Sequence, residues 1–250
     1  MRKWSAAVAA VLGMLALPAA SAAAEITVLG GMGVVSGLRD LAPAFEQMTG
    51  HKVIVVFEQN ADLNRRVNED ARADIAAVQP DQVDAYVKSG KMVAGTPTNF
   101  AQAGVGVAVK SGAPKPDIGT TEAFKAAMLK AKSIGYSRGG SGLISAQVME
   151  ELGIADVLKE RTRFIDGVPV AEVVAKGEVE IGLQQINVII PVEGADYVGP
   201  LPKELQQTVK FAAAVLTGAK ETEVAKAFLR FIASPDAAPY ITKSAMEPFH

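Results

Sequence analysis

Cysteine is absent from the 250-residue chain, which rules out disulfides, thiolate zinc sites and cysteine nucleophiles. Histidine is nearly absent too. His51 and His250 are the two present, and neither has another obvious metal ligand beside it in sequence. That argues against a histidine metal centre and against a Ser-His-Asp triad. No excess of positive charge exists either: 25 Lys and Arg face 27 Asp and Glu, for a net charge of −2. The cations are scattered, so there is no basic groove and no nucleic-acid partner is expected. Low-complexity tracts and short-period repeats are missing as well. What remains is an ordinary globular composition, long enough for one large domain or two lobes, with no metal or cofactor implied.

The N-terminus carries the clearest compositional signal. Arg2 and Lys3 precede an apolar run from Trp4 through Leu17, then Pro18 and the small residues Ala19 to Ala24. This order reads as a secretory signal peptide over residues 1–24, cleaved near Ala22 or Ala24. The apolar run falls short of the ~20 residues a spanning helix needs. The expected address is the periplasm.

After it, strand-like and helix-like stretches alternate. Ile26 to Leu29 is β-rich and runs into Gly30-Gly31-Met32-Gly33. Val34, Leu38, Leu41, Phe45 and Met48 then mark one face of a helix that Gly50 closes. Lys52 to Phe57 predicts a strand, followed by the polar bend Glu58 to Asp62. Asp74 to Val78 and a helix over Asp81 to Lys88 repeat the pattern. This is the βαβ rhythm of a sheet covered by helices, whose ligands sit on loops beyond the carboxyl ends of strands. Gly104 to Val109 reads as a buried strand, with the turn-rich Ser111 to Pro116 leading into a second lobe. Within it, Pro169 to Lys176 predicts a short helix and Glu180 to Gln184 a strand. The amides of Gln184 and Gln185 stand at that strand's end, able to give and take hydrogen bonds without adding charge. Gly199 to Pro202 reads as a rigid linker, Val209 to Leu216 as a returning strand, and Glu221 to Ala233 as an amphipathic helix.

The stretch Tyr136-Ser137-Arg138-Gly139-Gly140-Ser141-Gly142 lies between a short strand and a helix predicted from Gly142 to Leu152. Its glycines let backbone N–H groups converge, the helix adds its positive end, and Arg138 adds a planar fork of donors. The combination suits an anion, although a plain glycine-rich turn with Arg138 in water is the other reading.

Several stretches together resemble the periplasmic solute-binding proteins of ABC importers, nearest to the molybdate-binding branch. They are Ile26-Thr27-Val28 before the glycine-rich loop, Leu41 to Glu46 with Thr49-Gly50, Ala73-Asp74-Ile75, and Val224 to Leu229 with Ser234 to Ala237. The resemblance covers nearly all of Glu25 to Pro248. It implies two α/β lobes of the type II-like binding-protein fold, each a mixed, mostly parallel sheet flanked by helices and joined by two crossing segments. On the sequence, residues 25–108 plus 210–250 would form one lobe and 109–209 the other. It also implies a monomer that hands a small anion to a membrane permease. Family positions carry over to Gly33, Asn60, Ser141, Gly142, Val168 and Gln185, with Gly31, Met32, Arg138, Gly139, Gly140 and Gln184 beside them.

Molybdate binders of the family usually carry serine in the first two loops and tyrosine in the last. Gly33, Asn60 and Gln185 stand there instead, which argues against a bare tetrahedral oxyanion. Arg138 points to an organic carboxylate held bidentately, with an oxyanion such as molybdate or tungstate as the second binding reading. A periplasmic aconitate isomerase also resembles this family, so an isomerase on the same scaffold is the alternative expectation. Glu58, Asp62 and Tyr136 are then its candidate acid–base groups, against solvated loop charges and a core tyrosine as the plainer reading.

Overall fold

The computed structural model describes residues 23–69 and 72–249; the expected leader, through Ala22, lies outside the described residues. In the first lobe β1 (Glu25–Gly30), α1 (Val35–Thr49), β2 (Lys52–Phe57), α2 (Asn60–Asn68), β3 (Ile75–Val78) and α3 (Pro80–Lys88) alternate strictly. The long β4 (Thr98–Lys110) leads into α4 (Thr121–Lys130), β5 (Ile134–Ser137), α5 (Gly140–Glu151) and α6 (Ala155–Leu158). Then follow β6 (Thr162–Ile165), α7 (Val170–Ala175), β7 (Ile181–Gln185), α8 (Ile186–Ile189) and β8 (Ala195–Pro200). The chain returns through β9 (Thr208–Val215) and ends with α9 (Thr222–Ile232), α10 (Ala238–Lys243) and β10 (Glu247–Pro248).

The strands run in the order β2-β1-β3-β9-β4-β7-β5-β6, with β8 and β10 also on β4. β1 pairs in parallel with β2 and β3, and β5 with β6 and β7. The antiparallel strand pairs all involve β4 or β9. Apolar residues on both faces of β1 and β3 fit strands covered by helices on each side.

β4 is a single strand with two allegiances. Thr98 to Gly104 pairs with β9, whereas Val105 to Val109 pairs with β7. Its side chains change core at the same point: Phe100, Ala101 and Ala103 join the core of the first lobe, and Val105, Val107 and Val109 that of the second. On the way back Leu201 and Leu205 belong to the second core and Val209 to the first. In the first core, Phe45 of α1 meets Phe228 of α9 edge-on at 5.2 Å, both fully buried. Each such side chain contributes about 1.5–3 kcal/mol of burial.

The Gly199–Pro202 stretch is not a linker throughout. Gly199 and Pro200 end β8, opposite Val107 and Gly106, a strand terminus where proline is tolerated. Asp74 fastens the stretch after β9 to β1. Its carboxylate is buried and accepts the N–H groups of Thr27, Lys220 and Glu221 at 2.8, 2.9 and 3.1 Å, tying β1 to the approach of α9. Among the described residues, no helix is long and apolar enough to cross a membrane.

Candidate functional site

The carboxyl ends of β1, β2, β3, β5, β6 and β7 all deliver residues to one cavity of about 460 Å³. After β1 come Gly31, Met32 and Gly33; after β2, Gln59 and Asn60; after β3, Gln79. From the second lobe come Ser137 to Ser141, then Asp166 to Val168, then Gln184 and Gln185. Phe211 and Val209 of β9 close the back. The topology explains the convergence, because parallel strands point their carboxyl ends the same way and the two lobes turn those edges toward each other.

Helices α1, α2, α3 and α5 begin at this cavity. No side-chain cap bonds to the first turn of α1, α2 or α5. The leading N–H groups and positive ends of α2 and α5 are therefore placed to meet an anion, whereas the first N–H of α1, on Val35, already meets the Gly31 carbonyl at 3.0 Å. Close approach requires glycine at 142, where the neighbour is backbone, and leaves little room at 33, where it is the tip of a side chain. A Cβ on Gly142 would stand 1.6 Å from the Ser137 carbonyl oxygen, and one on Gly33 2.4 Å from Gln185 Oε1.

The two glutamines have different duties. Gln184 Oε1 accepts the Val170 N–H at 2.8 Å and its amide nitrogen lies 3.7 Å from Met32 Sδ, so it holds the start of α7. Gln185 is 7% exposed, and among the described residues its Nε2 has no hydrogen-bond partner. A buried amide donor left unmatched is costly, on the order of 1–3 kcal/mol. On the lining of an anion-suited cavity it is a donor that a ligand would satisfy.

Among the described residues, charge on the lining is confined to one pair. Arg138 Nε lies 3.3 Å from Asp166 Oδ2, with both side chains 64% exposed, and the guanidinium sits 4.3 Å above the Phe164 ring. Strand register produces this arrangement: Ser137 is paired with Ile165 and Tyr136 with Phe164, so the next residues, Arg138 and Asp166, emerge side by side.

The cavity brings together Gly31, Met32, Gly33, Asn60, Arg138, Gly139, Gly140, Ser141, Val168, Gln184 and Gln185. Gly142 is off the lining, buried behind it against Ser137. The acid–base candidates also lie off the lining. Glu58 is paired with Arg66, and Asp62 with Arg65 at 3.1 Å on the exposed side of α2. Tyr136 packs in the second core with its ring edge 5.4 Å from Phe164. Burial pushes its phenol above the usual tyrosine value, so the hydroxyl keeps its proton at neutral pH.

The sequence did not single out Gln79, Asp166 or Phe211, and it marked Gln59 and Ser137 only as members of the bend after β2 and the loop after β5. Gln79 and Asp166 directly follow the ends of β3 and β6, and the rule that singled out the bend after β2 would have found them.

Lobe closure is visible in direct contacts. Gln59 Nε2 donates to the Gly167 carbonyl at 2.7 Å, and Asn187 Nδ2 donates to the Gly33 carbonyl at 3.0 Å and to Ser36 Oγ at 3.2 Å.

The model of the family described as bacterial extracellular solute-binding protein matches residues 26–247. The chain belongs to that family. It is 31% identical over 246 residues to an aconitate isomerase from a Pseudomonas species, covering 96% of this chain and 94% of that protein. It is 27% identical over 245 residues to the molybdate-binding protein ModA of Azotobacter vinelandii, covering 92% of each. Among solved structures it resembles the periplasmic molybdate-binding protein of Azotobacter vinelandii. The TM-score is 0.74 at 19% identity, over 88% of this chain and 98% of that one. PEB3 with bound L-phospholactate gives 0.70 at 17% identity, over 90% and 100% of the two chains. These structures establish the two-lobed binding-protein architecture.

Proposed function

We propose that this protein encloses a small organic anion bearing more than one carboxylate and delivers it, as a periplasmic monomer, to an ABC importer. The lobes would divide inside β4 and ahead of β9 and close on the ligand. The observation that carries the reading is Gln185 Nε2, a buried donor without a partner on the cavity lining. Around it stand uncapped helix starts and neutral amides, which bind carboxylate oxygens without competing charge. The cavity volume of about 460 Å³ falls in the roughly 300–1,000 Å³ range of sites that enclose organic ligands. A tetrahedral oxyanion alone would fill little of it. The likeness to an aconitate isomerase supports a tricarboxylate as the class to try first.

The same likeness favours a second reading, that the bound acid is isomerised. That chemistry needs a base touching an acidic C–H and donors for the charge that develops. Gln185 and the helix starts could serve as donors, and Asp166 is the carboxylate on the lining.

Thermal unfolding of the purified protein against molybdate, tungstate, sulfate, phosphate and a set of mono-, di- and tricarboxylates tests the first reading. A ligand at ~100 times its dissociation constant adds about 2.7 kcal/mol to stability. A raised midpoint with tricarboxylates and not with molybdate is expected; the reverse would remove the reading. Proton NMR of trans-aconitate incubated with substoichiometric protein separates trap from isomerase: unchanged ligand supports the trap.

A further inference from the structure

Arg138 is engaged by a carboxylate on the same lining. Among the described residues, Arg138 and Asp166 are the only charged residues lining the cavity, and they face each other as a pair. Their 64% exposure places them at the rim, whereas Gln185 and Ser141, 7% and 3% exposed, lie at the floor. The pair is held by strand register and by the Phe164 ring beneath the guanidinium. The loop bearing Asp166 is in turn anchored to the opposite lobe, because the Gly167 carbonyl accepts Gln59 Nε2 at 2.7 Å. Gly167 has φ +82°, the left-handed turn that presents this carbonyl beside Asp166. Closure therefore fixes Asp166 at the mouth.

We propose that Asp166 is a specificity-determining, positioning residue that acts by occupying Arg138. This rests on the reading of the cavity as a polycarboxylate site. A small inorganic dianion held at the floor meets neutral donors and a rim pair whose charges cancel, so it gains little from Arg138. A longer acid reaches the rim with a further carboxylate and can displace Asp166. The displacement is feasible because the contact runs through Nε at 3.3 Å, longer than the about 2.7–2.9 Å of a tight charge-assisted bond, while an arriving carboxylate can use the guanidinium fork bidentately. Exposed pairs of this kind exchange at low cost. Asp166 thus makes the cation available to ligands long enough to take it and withholds it from the rest.

The test is calorimetric titration of the purified protein with tricarballylate, a saturated tricarboxylate, and with sulfate, in wild type, D166N, R138Q and the double variant. Both side chains are exposed, and substitutions at such positions leave folding nearly unchanged. In D166N the guanidinium is released to any anion, so sulfate affinity should rise about tenfold and tricarballylate affinity only a few-fold. The preference for tricarballylate over sulfate should fall accordingly, and in the R138Q background D166N should leave that preference unchanged. An unaltered preference in D166N, or the same fall in the R138Q background, would overturn this role while wild-type tricarballylate binding stood. Failure of the wild type to bind tricarballylate would overturn the site reading itself, and this role with it.

Discussion

Gly33 and Gln185 meet across the cavity so closely that a Cβ on Gly33 would stand 2.4 Å from Gln185 Oε1, 3.0 Å from its Nε2 and 3.0 Å from the Phe211 ring. One residue comes from each lobe, so a methyl at 33 would press on the Gln185 amide as the lobes close. Gly33→Ala is therefore expected to weaken ligand binding by at least about tenfold while leaving the unliganded protein's stability within about 0.5 kcal/mol. Small-angle scattering with and without tricarballylate checks it: the wild type contracts, and the variant contracts less or not at all.

Gln59 makes the contact that spans the mouth, donating to the Gly167 carbonyl at 2.7 Å. A neutral hydrogen bond exposed to solvent contributes about 0.5–1.5 kcal/mol. Gln59→Ala should cost a few-fold in affinity, chiefly through faster dissociation. Stopped-flow measurement of the dissociation rate would show it, and an unchanged rate would mean that the contact adds nothing to the closed state.

Asp74 is a matter of folding rather than of ligand. Its carboxylate answers the N–H groups of Thr27, Lys220 and Glu221 at a buried position. Asp74→Ala strands these donors and should lower unfolding free energy by roughly 3 kcal/mol. The denaturant midpoint should fall with little change in slope.

Tyr136, Tyr86 and Tyr197 share a pH signature, since burial raises the phenol of each above its ordinary value. A folded-state pKa above the unfolded one gives stability that is complete below the unfolded value, about 10, and is lost as pH rises through the folded value. Stability should therefore decline on the alkaline side above about pH 10, and Tyr136→Phe should shallow that decline. The same variant should leave ligand binding and any turnover unchanged within about twofold, because Tyr136 lies in the second core and off the cavity lining.

Much of this arrangement was legible in the sequence because the signals were local. The helix face of Leu38, Leu41 and Phe45, the stop at Gly50 and the run from Lys52 to Phe57 each rest on a periodicity or on one residue's backbone preference. The loops after β1, β5 and β7 were legible for the same reason, since a strand end followed by glycine or amide residues marks the ligand edge. What could not be read depends on pairing between distant stretches. Nothing in composition marks where β4 passes from β9 to β7, since Ala103 to Val109 is uniformly apolar or small. Gln184 and Gln185 are identical in type; only the fold assigns one to the Val170 N–H and leaves the other unmatched. Arg138 could be seen in the chain, but its partner 28 positions on follows from the register of β5 with β6.

The most direct measurement is calorimetric titration of tricarballylate and of molybdate into the wild-type protein and into Gln185→Glu. That substitution keeps the side chain's shape and replaces the unmatched donor with an anion. The account predicts that tricarballylate binds the wild type, that molybdate binds more weakly or not at all, and that the variant loses about a hundredfold or more in tricarballylate affinity. Molybdate binding tightly while tricarballylate fails, or tricarballylate binding the variant as well as the wild type, would contradict it.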